Sequence, residues 1–136
     1  MATGTAGTTA REFTSQQVHY LRRSIAYTDD GNELDIGIIP AGSLILKPLS
    51  GVSINTPFNA SGGNVLQVGG SAGVDDPNRW GTSLALGTAG FVPCDEAVSY
   101  LVTVDVTISA TVELTGTAAT AGQGEVVIAY IPDNDQ

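Results

Sequence analysis

From Val98 to Thr115 every even position carries an apolar side chain, and every odd one except Leu101 carries Ser, Thr, Asp or Glu. A period of two sustained this long dictates extended backbone with one buried and one wet face. At about 3.3 Å per residue the run would reach roughly 55 Å, about three times the usual strand, so it must bend. A two-residue hairpin would pair residues of opposite parity and break the even pattern, and no Gly, Pro or Asn marks such a turn here. Two strands joined by a bend or bulge near Ser109 are therefore expected, as where a strand crosses a sandwich corner.

The rest of the chain has the punctuation of a β-protein. Residues 1–15 are small and Thr-rich, with almost no large apolar group to bury, and read as an N-terminal arm; residues 16–136 read as one domain. Gln17 to Thr28 reads as a first strand ending at the turn Asp29-Asp30-Gly31-Asn32. Leu34, Ile36 and Ile38 alternate up to the turn Pro40-Ala41-Gly42, Ser43 to Leu49 resumes extended structure, and Val52, Ile54 and Phe58 follow. Ala60 to Asn64 is a turn and Val65 to Val68 a short strand. Gly69 to Gly90, holding Asp75-Asp76-Pro77-Asn78-Arg79-Trp80, reads as the longest loop. Thr117 to Gly124 is a second loop, and Glu125 to Ile131 a closing strand without a polar side, buried on both faces or covered by a neighbour. The expected fold is all-β: an antiparallel β-sandwich or jelly roll of about eight strands.

The groups that catalysis needs are scarce. The chain has one His, one Cys and one Lys. His19 reads as a strand residue, and Cys94, followed by Asp95 and Glu96, has an acidic flank that raises a thiol pKa and disfavours a nucleophilic role. Cys94 is expected to be structurally dispensable. No nucleophile elbow, phosphate-binding Gly loop, zinc-binding helix or Cys pair occurs, so the chain reads as no enzyme and no cofactor is expected. Asp29 to Asp35 and Asp75 to Asn78 gather acidic oxygens but lack the ligand spacing of a calcium loop; both read as turns. Asn59-Ala60-Ser61 matches a glycosylation sequon and also reads as a turn.

Fourteen acidic against five basic residues give a net charge of -9, which repels phosphate backbones and anionic lipid. Nucleic acid and membrane are thus poor partners, and no apolar run approaches a membrane span; the N-terminus reads as no signal peptide. Contacts between copies should instead use apolar strand faces such as Val127, Ala129 and Ile131. Arg22, Arg23, Arg79 and Trp80 have the chemistry of interface anchors, although Trp80 could equally pin its loop to the core. In the arm, Phe13 offers an apolar anchor and Arg11 a cation for a partner.

The segments Ile39-Pro40-Ala41-Gly42-Ser43-Leu44-Ile45, Val52 to Ala60 and Leu66-Gln67-Val68-Gly69 resemble recurring elements of small β-rich virion structural proteins of tailed bacteriophages. The likeness covers about residues 34–80 and rests on structural turns. It implies a head decoration or cement protein that binds the outer capsid surface as a homo-oligomer, a trimer by analogy, with the major capsid protein as partner. A receptor- or glycan-binding module of a fibre or tail tip, using the loop around Trp80, is the alternative.

Overall fold

The computed structural model describes residues 18–132, so the arm expected at 1–15, with Arg11 and Phe13, lies outside the described residues. Nine strands follow one another: β1 (His19–Ala26), β2 (Glu33–Ile39), β3 (Leu44–Ile45), β4 (Gly51–Thr56), β5 (Asn64–Ala72), β6 (Asp76–Ala85), β7 (Gly90–Pro93), β8 (Val106–Leu114) and β9 (Gln123–Ile131). Short 3-10 turns at Tyr27–Asp29 and Lys47–Leu49 are the only helical pieces among the described residues.

The strands form two antiparallel sheets packed as a sandwich. The first has the order β1-β9-β4-β7, with β3 also pairing β9; the second has the order β2-β8-β5-β6. Between them lie Val52, Ile54, Val126 and Ile128 from the first sheet and Leu66, Val68, Val106, Ile108 and Val112 from the second, all nearly or wholly withdrawn from solvent. Burying each such side chain contributes about 1.5–3 kcal/mol, which makes the inter-sheet layer the main source of stability.

The alternating run divides differently from the expectation. Residues 106–114 form one uninterrupted strand, β8, with Ser109 fully buried in its middle. The bulge at this level belongs to the partner strand, where the register of β2 shifts between Asp35 and Gly37 opposite Ser109 and Ile108. The bend lies earlier, at Thr103 and Val104. Residues 98–105 are the crossover between the sheets: Leu101 makes an isolated bridge to Leu44 of the first sheet, and Val106 enters the second. The crossover is held by backbone bonds, Gly42 N–H to Val102 carbonyl (2.7 Å) and Val102 N–H to Ser43 carbonyl (3.0 Å). Asp105 Oδ1 accepts from Ala41 N–H at 2.8 Å. The turn that presents these groups needs a glycine, since Gly42 has φ +85° at the third position of a turn closed by Ser43 N–H to Pro40 carbonyl.

The Gly69–Gly90 loop is also corrected. β5 runs on to Ala72 and β6 returns from Asp76 to Ala85, a hairpin whose register shifts twice. At Gly69 and Gly70 the returning backbone, at Asp76 and Val74, passes so close that a Cβ would collide with its carbonyl oxygens. Pro77 is tolerated because β6 is an edge strand. The Phe58-Asn59-Ala60 segment acts as a clamp: Phe58 is buried, and Asn59 Oδ1 accepts from the N–H of Thr120 (2.8 Å) and Ala121 (3.0 Å), joining two loops.

Candidate functional site

The outer face of the first sheet is where the sequence's interface candidates gather. Partners across antiparallel strands share a face, so the register arranges this surface in rows. Leu101, Leu44 and Ile131 form the first row, Tyr20 and Ala129 the second. Arg22, Val127, Gly51 and Pro93 form the third; Ser24, Glu125, Ser53 and Phe91 the fourth. Successive rows are about 6.6 Å apart, two residues along a strand. The alternation that sends Val126, Ile128 and Tyr130 inward places Val127, Ala129 and Ile131 on the outer side, where Val127 and Ile131 are half-buried and Ala129 is fully covered. The closing strand lacks a polar side because both of its faces are largely covered from Gly124 to Ile131.

The apolar end of this face is open. Tyr20 is 57% exposed, Leu101 52% and Leu44 44%. The other end is a shallow polar groove of about 360 Å³ lined by Arg22, Ser24, Ser53, Asn55, Gln123, Gly124 and Glu125, beside the exposed ring of Phe91. Arg22 Nε donates to Glu125 Oε1, and this carboxylate holds the guanidinium pKa above its usual value. Both charges on these rows are therefore matched within the subunit.

The remaining candidates lie elsewhere. Arg23 points from the opposite side of β1 and donates to the Asp35 carbonyl (2.6 Å), tying the first sheet to the second. Arg79 is half-buried on β6. Trp80, expected on a loop, is a strand residue 2% exposed; its Nε1–H donates to the Ser99 carbonyl at 3.2 Å and its ring lies 6.5 Å from that of Tyr100. The indole thus pins the crossover to the core. Tyr20, Leu44 and Leu101, exposed on the same face, are not among the interface candidates read from the sequence. Tyr20 could have been found from its even-numbered alternation with Arg22, and Leu101 from being the one apolar residue out of phase in its run.

Cys94, expected to be structurally dispensable, is 1% exposed, and its N–H donates to the Ser50 carbonyl at 2.8 Å. Burial above all, then the charge of Asp95, pushes the thiol up to about 12. Tyr100 is also pushed up to about 12, first by burial and then by the charges of Cys94, Asp95 and Glu96. Its hydroxyl donates to the Glu96 carbonyl at 2.8 Å. The acidic turn at Asp29 and Asp30 uses its carboxylates as backbone caps, Asp29 Oδ2 accepting from Ala26 N–H and Asp30 Oδ1 from Leu114 N–H, whereas Asp76 to Asn78, expected in a turn, open strand β6. Among the described residues no group of three or more His, Cys, Asp or Glu is placed to hold a metal ion.

No family model and no curated protein sequence matches this chain. Its backbone does match a solved structure, a chain of the cyanophage Pam1 capsid asymmetric unit, with a TM-score of 0.66 over 97% of each chain at 20% identity. That likeness establishes a shared fold across the whole described sandwich.

Proposed function

We propose that this chain is a non-enzymatic bacteriophage virion structural protein that binds the outer capsid surface as a homo-oligomer and stabilises the head. The observation that carries this reading is the likeness to a chain of a phage capsid asymmetric unit over 97% of both chains. It is joined by the resemblance of residues 34–80 to virion proteins and by a sheet face suited to assembly. The major capsid protein is the partner, and a trimer is the closed form that suits three-fold positions of a capsid. Residues 1–15 serve as the arm that reaches the lattice.

The polar groove beside Phe91 favours a second reading, a receptor- or glycan-binding module, because hydroxyls and amides flanking an aromatic ring suit sugar hydroxyls and faces. Particles lacking the protein distinguish the two. Adding back purified protein should restore heat resistance of the head, and removing residues 2–12 should weaken attachment while leaving the sandwich folded. Loss of adsorption to cells with head stability unchanged would favour the second reading instead.

A further inference from the structure

We infer that the outer face of the first sheet, from the Leu101–Leu44–Ile131 row through Tyr20 to the Arg22–Glu125 pair, is the surface through which copies of this chain bind one another. This deepens the homo-oligomer in the reading above and rests on it. Two observations select both the face and its occupant.

The first is the distribution of exposed apolar groups. Tyr20, Leu44, Phe91 and Leu101 all lie on this face, whereas the strands of the second sheet present one large exposed apolar side chain outward, Ile38. Contiguous apolar rows rimmed by a polar groove have the anatomy of an interface, a dry centre with a hydrogen-bonding margin.

The second is charge. Two copies at -9 each repel, so close contact is tolerable only where the local charge is nil. The outer face of the second sheet carries Glu33, Asp35 and Glu113, as their pairing with Thr111, Ser109 and Val65 shows. Opposing that face to another copy of itself would stack carboxylates on carboxylates. The rows of the first sheet hold one carboxylate, Glu125, already matched by Arg22. A neutral apolar face on a strongly acidic molecule fits further copies of this chain gathered about a shared axis, with the acidic sheets turned outward and apart.

Sedimentation equilibrium of the purified full chain tests this. Wild type should weigh a multiple of 13.9 kDa, and the double variant Leu44→Glu/Leu101→Glu should be monomeric with an unchanged circular dichroism spectrum. Ile38→Glu, an equally intrusive change on the opposite sheet, should leave the oligomer intact. Tyr20→Glu alone should weaken association at least tenfold, and it provides a milder probe should the double variant fold poorly. Raising salt from low to physiological should tighten association, because screening relieves repulsion between acidic bodies.

An oligomer that survives both Tyr20→Glu and Leu44→Glu/Leu101→Glu would contradict the assignment, as would dissociation by Ile38→Glu. A monomeric wild type whose apolar face binds a fluorescent dye only after removal of residues 2–12 would mean that the chain's own N-terminus covers the face, and also overturns it. Binding to particles separates this inference from the virion reading. A monomeric wild type that still attaches to heads leaves capsid binding standing and removes the oligomer and this inference with it, while an oligomer disrupted as described that never attaches leaves this inference and removes capsid binding.

Discussion

The two halves of the alternating run, Val98–Asp105 and Val106–Leu114, have the same sequence pattern and opposite structural fates. In the second half every even side chain faces the core; Thr107 to Thr111 have strand partners on both sides, β2 and β5, and the other residues on at least one. In the first half Tyr100 and Val102 face inward, but Val98 and Val104 remain 37% and 45% exposed, and a single bridge, at Leu101, ties the segment to a sheet. Alternation reports which way side chains face in extended backbone; it does not report whether neighbouring strands are there to pair. The crossover gains its order from other sources: the Trp80 indole, the Tyr100 hydroxyl and the turn at Pro40–Ser43.

The contrast has measurable consequences. Ile108→Ala, in the paired half, should cost about 2–5 kcal/mol in urea unfolding, since a fully buried side chain between two sheets leaves a cavity. A loss below about 1 kcal/mol would mean that the inter-sheet layer is looser than described.

At the head of the crossover, Cys94→Ser should cost about 1–3 kcal/mol by placing a hydroxyl where a thiol is buried. The same site makes the protein alkali-sensitive. Both Cys94 and Tyr100 have folded pKa values raised to about 12, from 9.0 and 10.0. Each therefore holds its proton more tightly when folded, contributing stability that is complete below the unfolded value and lost as pH climbs toward the folded one. The melting temperature should decline from about pH 9 upward, more gently in Cys94→Ala. A flat profile across that window would refute the burial of these groups.

Tyr100→Phe, which removes the bond to the Glu96 carbonyl, should cost about 1 kcal/mol. Val104→Ala should fall within about 0.5 kcal/mol, as an exposed crossover residue allows. If it matched Ile108→Ala instead, the two halves would not differ and the comparison would collapse.

The same distinction explains how much was legible in advance. The sandwich class followed from parity and turn spacing, because these depend on local chain geometry. Parity alone points to a bend at Ser109 rather than at Thr103 and Val104, because it persists through a crossover that keeps extended backbone. The hairpin β5–β6 was hidden by Gly69, Gly70 and Pro77, which usually mark loops; here they accommodate close backbone approach and an edge position. Of the interface candidates, Val127, Ala129, Ile131 and Arg22 share one face because strand parity could be read directly. Trp80 went inward because its place depends on Ser99 and Tyr100, which are distant in sequence and near only in the fold.

Copy number decides whether this chain occupies the outside of a virion head, as proposed. Quantitative mass spectrometry of purified particles, scaled to the major capsid protein, tests it most directly. The account expects on the order of hundreds of copies per particle, as repeated lattice positions filled by a closed oligomer require. A few copies, or a few tens, would contradict it and point to a fibre or tail tip.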